Sequence, residues 1–361
     1  MSGLAAGATG QRAAPVGRRL AGVDVARGLA LLGMMSVHVL PRTDADGSPS
    51  LAYAVSSGRA SALFAVLAGV GLALAGAGAR AVLARAAVVA AIGLTLGLLP
   101  TPVAIILVNY GLLFVLAVPF LRLRARTLAM LAGAWLVVSP VVGHLLRPAA
   151  PPPSGANPSW LSLGDPVGLL TELLLTGYYP ALQWTGYLLV GLAVGRSRLN
   201  RTRTAVALVL GGLLLAAAAS VLSAVLLDAG GAAAVDADRW FYGVTPTESW
   251  WWLAVDSPHA WTPPDLLHTT GTALAVLGGC LLLAPWAGRL LLPLAAAGSM
   301  TLTLYSVHVV ALGLGLRELT WHVVGALVVG TLWRSTGQRG PLEALAAAAA
   351  RGAARPVSRA G

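Results

Sequence analysis

"GRRLAGVDVARGLALLGMMSVHVLP", residues 17–41, is the stretch whose reading decides the fold. Its length and apolar content suit one bilayer crossing, which takes about 20 residues. Yet it carries Asp24, Arg27 and His38. Ionisable groups in hydrocarbon cost ~2.5–3.5 kcal/mol each even on the lenient insertion scale, so they face a bundle interior or a water-filled cavity. The segment therefore reads as a helix with a polar stripe, packed inside a larger bundle. Arg27 and His38 fall within about 20° of the same helix face and ~16 Å apart along the axis. Asp24 lies one turn before Arg27 on the same side, placed to pair with it. The plainer alternatives are an interfacial Asp24–Arg27 pair that snorkels and a helix-end His38 that bonds a backbone carbonyl.

Working outward, the whole chain matches that segment. Of its 361 residues 57% are hydrophobic and only 10% charged, and the mean hydropathy is +0.79. Soluble domains carry about a quarter charged residues. The expected fold class is all-α: a polytopic membrane helix bundle with about ten transmembrane helices and both termini cytoplasmic. The expected spans are 20–40, 59–79, 82–99, 103–121, 127–146, 178–195, 204–227, 266–286, 290–312 and 319–333, with 166–195 readable as one span or two. Arginine placement orients them, because cytoplasmic loops retain positive charge. Arg12, Arg18, Arg19, Arg80, Arg85, "RLRAR" (122–126), "RSRLNRTR" (196–203) and Arg289 fall on one side. Arg42, Arg59, Arg147, Arg239 and Arg317 fall on the other, with most of the acids. The first helix is expected to be retained, with a cleaved or twin-arginine signal as the alternative.

The net charge of +11 does not imply nucleic acid. All 24 basic residues are arginine, set in short clusters between apolar segments. The single cysteine, Cys280, excludes an internal disulfide. Domain limits follow: a disordered cytoplasmic N-terminus over 1–17, the membrane domain over 18–346, and a cytoplasmic tail over 347–361 that begins as a short helix. Two loops on the far side are long. Residues 147–165 are proline-rich, and 228–265 hold Trp240, Trp250, Trp251, Trp252 and Trp261. These tryptophans read as an interfacial belt, or more sharply as a platform for stacking sugar rings.

A second histidine matters as much as the first. His308, in "GSMTLTLYSVHVVAL", sits late in a span that runs in the same direction as the first, so it is expected at the depth of His38. Neutral imidazole suits general-base work near pH 7. His144 and His322 flank span ends and read as interfacial. His259 and His268 bracket "AWTPPDLL", where cavity-lining and plain loop roles are equally open. No histidine pair has metal-ligand spacing beside an acid, so no metal is expected. Phosphate-loop, dinucleotide and nucleophile-elbow motifs are absent from the sequence.

"RLAGVDVARGLALLGMMSVHV", "SGRASALFAVLAGVGLAL", "TGYYPALQWTGYLLVGLAVGR" and "GSMTLTLYSVH…GPLEAL" occur in an order that resembles bacterial proteins related to the catalytic domain of heparan-alpha-glucosaminide N-acetyltransferase, within the transmembrane acyltransferase superfamily. The resemblance spans residues 18–346. It implies a membrane acyltransferase at the cell membrane that uses acetyl-CoA or another acyl-CoA from the cytoplasmic side. The implied acceptor is a sugar amine or hydroxyl of an envelope glycan on the far side. Asp24, Arg27 and Gly28 match the D-x-x-R-G motif, with Arg27 engaging polar groups of CoA. His38 is the implied base, and His308 the alternative. On this reading Asn109, Tyr110 and Tyr305 are candidate oxyanion donors, and Tyr178, Tyr179 and His259 line the acceptor mouth. The expected partners are the bilayer, acyl-CoA and the glycan, with a homodimer left open. The rival expectation is a proton-coupled transporter or flippase of an envelope precursor, for which paired broken helices would be the sign.

Overall fold

The computed structural model describes residues 20–236, 239, 241 and 243–355. The expectations for residues 1–17, for Arg18, Arg19 and Trp240, and for tail positions 356–361 lie outside the described residues. Helices dominate, and among the described residues there are no strands. All ten apolar segments contain helix, for the reason the composition gives: in lipid the backbone must satisfy its own hydrogen bonds.

In chain order the helices are α1 (Ala21–Val39), α2 (Leu51–Ser56), α3 (Arg59–Ala75), α4 (Ala79–Leu96), α5 (Leu107–Ala117), α6 (Ala125–Leu146) and α7 (Pro166–Thr171). There follow α8 (Ala181–Gly195), α9 (Thr202–Asp228), α10 (Pro263–Leu283), α11 (Leu292–Gly298), α12 (Thr301–Gly313), α13 (Leu319–Ser335) and α14 (Pro341–Ala354). Among the described residues six stretches can cross a bilayer by length and composition: α1, α2 with α3, α4, α6 with the turn after it, α9, and α10. The pair α11–α12, bent by 82°, makes a seventh if counted as one span. The chain is a multi-pass integral membrane protein.

Two expected spans take other forms. The 103–121 segment is helical only from Leu107, since Pro102 lies just ahead and the Asn157 side chain engages the backbone of Val103 and Ile105. Asn157 Oδ1 accepts from the Ile105 N–H at 2.7 Å, and its Nδ2 donates to the Val103 carbonyl at 2.9 Å. The 166–195 region is two helices. A π-turn over Glu172–Thr176 extends α7, and Gly177 and Pro180 then separate it from α8.

Close helix approach builds the bundle around α1, α3, α8 and α10. A Cβ on Gly298 would collide with the Asp24 carbonyl, so α11 lies directly against the backbone of α1 at the start of its polar stripe. Trp184 and Tyr187 of α8 are fully buried, and the Tyr187 hydroxyl shares a 2.6 Å hydrogen bond with Thr269 of α10. Residues 250–262 pack against the helices beside them. Trp252 and Trp261 are buried in protein, so the expected belt or sugar platform does not extend to them; Trp250 is 57% exposed and packs on His144 at 4.8 Å. His259 and Trp261 have φ of 65° and 53°, left-handed values that side chains other than glycine rarely adopt. Trp261 is held there by its backbone N–H, which donates to Asp265 Oδ2 at 2.8 Å, and by its indole N–H, which donates to the Tyr178 carbonyl at 3.0 Å.

Candidate active site

Two cavities share α1 as a wall. The larger, about 1500 Å³, lies beside the first half of the helix and is lined by Asp24, Arg27, Gly71, Arg85, Tyr110, Arg198, Arg201, Tyr305, Arg339 and Glu343, among others. The smaller, about 690 Å³, lies beside the second half and includes His38, Asn109, Tyr178, Tyr179 and His259 in its wall. Met34 lines both. Positions 27, 34 and 38 recur at helical spacing, so one stripe of α1 presents a guanidinium to one cavity and an imidazole to the other.

The larger cavity is rich in cationic side chains. Five arginines face two acids across its walls. Arg27 Nη1 donates to Asp24 Oδ1 at 3.3 Å. The opposite side of that guanidinium rests on Gly71, where a Cβ would sit 2.7 Å from Nη2. Glu343 is already engaged. Its Oε1 accepts from the backbone N–H groups of Leu302 and Thr303 at 2.7 and 3.1 Å, and its Oε2 from the Thr303 hydroxyl at 2.6 Å. It thus caps the N-terminus of α12, whose preceding break at Ser299–Met300 leaves those donors free. The buried Tyr110 hydroxyl has no hydrogen-bond partner among the described residues, so it is an unspent donor on the cavity wall. The volume exceeds the ~300–1,000 Å³ of drug-sized ligand pockets and suits a long, polyanionic molecule.

His38, in the wall of the smaller cavity, begins a row of three histidines. His38 Nδ1 and His308 Nε2 are 3.1 Å apart. Their rings are within 14° of coplanar with centroids 5.3 Å apart, which fits an in-plane hydrogen bond rather than a face-to-face stack. His308 Nδ1 lies 2.9 Å from His322 Nδ1, and His322 Nε2 lies 3.0 Å from the Leu316 carbonyl. The chain of three imidazoles therefore ends on a backbone acceptor in the α12–α13 turn. Across the cavity, Tyr178 and Tyr179 meet edge to face at 4.8 Å and His259 leans on Tyr178 at 5.0 Å. His259 Nδ1 is buried without a hydrogen-bond partner among the described residues. Burial, reinforced by Arg42 and His38, pushes the His259 imidazole down to about 3, so it is neutral at ordinary pH.

The remaining candidates fall as follows. Asp24 and Arg27 stand together at the arginine-rich cavity. Gly28, expected at the donor site, faces α11 instead: a Cβ there would strike the Leu294 carbonyl, so its role is close helix packing. Tyr305 lines the larger cavity and its hydroxyl accepts from the Ile106 N–H at 3.5 Å, which keeps it away from the histidines. Asn109 faces the smaller cavity, but its Nδ2 donates to the Tyr179 carbonyl at 2.8 Å, a bond that ties α5 to the chain before α8. His144 and His322, expected at the interface, are both buried. His322 is the residue the sequence reading missed. Its signal is symmetry about a turn, since positions 308 and 322 lie equally far from residue 315, and an antiparallel helical hairpin brings such positions together. His268 is structural: its Nε2 accepts from Arg59 while Nδ1 lies 3.1 Å from Asp256 and 2.7 Å from Ser220. Burial would raise the Asp256 carboxyl, but hydrogen bonds from His268 and from the Ser220 hydroxyl to its Oδ2 hold it below its usual range.

Comparison with known proteins agrees with this geometry. A search among individual curated proteins found no match. The sequence profile described as heparan-alpha-glucosaminide N-acetyltransferase, catalytic, matches residues 19–223. That range is more than half of the chain and takes in Arg27, Met34, His38, Tyr110 and the Arg198–Arg201 turn. With a transferase family profile running through both cavities and along the whole of α1, the chain belongs to the heparan-alpha-glucosaminide N-acetyltransferase catalytic-domain family.

Proposed function

We propose that this protein moves an acetyl or other acyl group from acyl-CoA in the arginine-lined cavity to an amine or hydroxyl of an envelope glycan in the histidine-lined cavity. One observation carries the reading: a single helix presents Arg27 to the first cavity, His38 to the second, and Met34 to both. Arg27, Arg85, Arg198, Arg201 and Arg339 would hold the phosphates, since guanidinium groups match phosphate oxygens in fork geometry. The helix rise sets ~16 Å between the Arg27 and His38 levels, a span suited to an extended pantetheine arm. His38 takes the proton from the attacking amine or hydroxyl, the new C–N or C–O bond forms, the thioester C–S bond breaks, and CoA leaves as the thiol. In this reading ten crossings place both termini in the cytoplasm, the arginine-lined cavity faces that side, and the protein resides in the plasma membrane. The smaller cavity beside His38 also offers an aromatic surface (Tyr178, Tyr179, His259) against which a sugar ring can lie.

The carrier reading draws on the bent pair α11–α12, because broken helices mark many transporters. Among the described residues there is one such pair and no counterpart in another part of the chain.

The decisive experiment uses the purified full chain in nanodiscs with labelled acetyl-CoA and a panel of amino sugars and envelope glycans. Acceptor-dependent label transfer is expected. His38→Ala should lower turnover by ~10²–10⁴, the range of a lost general base, while acetyl-CoA affinity stays within about twofold. Full turnover in His38→Ala removes His38 from the chemistry. Failure of every acceptor, together with acyl-CoA-independent uptake into vesicles, replaces the enzyme with a carrier.

A further inference from the structure

The three-histidine row carries directional information that neither the family profile nor the two cavities supply. The Leu316 carbonyl only accepts, so the 3.0 Å contact requires that His322 Nε2 carries a proton and donates it. A neutral His322 then offers a lone pair at Nδ1. The His308 Nδ1 beside it, at 2.9 Å, must be the donor. A neutral His308 in turn has its lone pair on Nε2, and the His38 Nδ1 at 3.1 Å must donate to that. One backbone carbonyl, two residues removed, thus leaves His38 with its proton on Nδ1 and its lone pair on Nε2, on a residue that lines the smaller cavity.

We propose that His322 is a positioning residue of the transfer site: acting through His308 from its bond to the Leu316 carbonyl, it selects the His38 tautomer whose Nε2 is free to act as a base. The inference rests on the reading of His38 as that base. It gives the site what an aspartate gives the histidine of a serine hydrolase, a fixed ring orientation and tautomer. Here the orienting group is neutral, which suits a segment in lipid, where a lone carboxylate is costly. The arrangement also balances when a proton arrives. Capture at His38 Nε2 lets the Nδ1 proton pass to His308 Nε2 and the His308 Nδ1 proton pass to His322 Nδ1. The positive charge then sits on His322, whose Nε2–H still donates to Leu316, and no lone pairs are left facing each other. Return of the two protons restores the imidazolium at His38, whose Nε2 proton then passes to the departing thiolate and regenerates the starting row.

The test is spectroscopic first, kinetic second. The full chain, labelled with ring-¹⁵N histidine in nanodiscs and assigned by loss of the His38 signal in His38→Gln, should show His38 with Nδ1 protonated and Nε2 unprotonated. In His322→Leu, which removes the acceptor for His308, that preference should disappear. The value of kcat for transfer from acetyl-CoA should fall about tenfold, the scale of one lost orienting hydrogen bond, with KM for acetyl-CoA within twofold. His322→Asn places a carboxamide oxygen where it can accept from His308 Nδ1–H, and should restore the His38 tautomer and most of kcat. A His38 protonated on Nε2 in the unaltered protein, or a tautomer unchanged by His322→Leu, overturns the inference. The spectra decide it without any turnover. The expected spectra in a chain that transfers no acyl group would keep the positioning role and reject the transfer reading, whereas transfer with the wrong tautomer would do the reverse.

Discussion

Replacing Gly71 by alanine should make the protein more stable and a poorer binder of acyl-CoA. Gly71 lies inside α3, and glycine in a helix interior is less favourable than alanine by ~0.5–1 kcal/mol. The added methyl would meet only one neighbour, Arg27, with its Cβ 2.7 Å from Nη2 and 4.0 Å from Cζ. Ordinary non-bonded contact needs about 3.5 Å, so the guanidinium must shift by somewhat less than 1 Å. The shift loosens either its 3.3 Å bond to Asp24 or its grip on a phosphate. A hydrogen bond to a charged group is worth ~1.5–3 kcal/mol. The Arg27 side chain is 29% exposed and can adjust, so screening and flexibility reduce this to about 1 kcal/mol. The expected result is a roughly fivefold rise in the Kd for acetyl-CoA by calorimetry, alongside a thermal midpoint that does not fall. A double-mutant cycle makes the test specific. In an Arg27→Ala background Gly71→Ala should leave affinity unchanged, because the methyl then meets open space. Equal losses in both backgrounds, or none with Arg27 present, would refute the assignment of Arg27 to the ligand.

Three further outcomes follow from the same geometry. Met34→Ala removes the side chain common to both cavity walls; acceptor-independent release of CoA, read by a thiol reagent, should rise, at a stability loss of ~2–5 kcal/mol typical of core truncations. His259 is neutral in the folded protein down to about 3 but ionises near 6.5 when unfolded. Its folded value lies below the unfolded one, so it contributes a loss of stability as pH falls through 6.5, approaching ~1.4 kcal/mol per pH unit; denaturation at several pH values should show this slope flattened in His259→Gln. Glu343→Ala leaves the Leu302 and Thr303 N–H groups uncapped and should cost about 1–2 kcal/mol in thermal unfolding, with Glu343→Gln intermediate. An unchanged midpoint in Glu343→Ala would mean that the α11–α12 bend is held by packing alone.

The legible part of the site was the part written along single helices. Asp24, Arg27 and His38 share a stripe because 3.6 residues complete a turn, and nothing outside α1 is needed to see it. The shared wall at Met34 has the same origin, although only the shapes of the neighbouring helices reveal that two cavities meet there. Gly28 shows the limit of that periodicity, since it packs against α11. Periodicity says which residues share a face, but which face meets α11 and which meets a cavity depends on where α11 lies.

What the sequence by itself determined is the class of molecule. Apolar runs long enough to span lipid, with backbone donors that only helices can satisfy there, leave a multi-pass helical bundle, and ionisable residues inside one run imply a protected interior. Tertiary structure alone decided who meets whom. The α11–α12 bend carries Tyr305 to one cavity and His308 to His38. A five-residue turn folds His322 back onto His308, and the chain just before α10 buries His259 and Trp261 inside the protein. Each of these is a contact between residues far apart in sequence. Hydrophobic pattern is blind to such contacts, because pattern records only how each helix divides lipid from protein, while the neighbour on the protein side is chosen by close packing, helix breaks and the pairing of buried polar atoms.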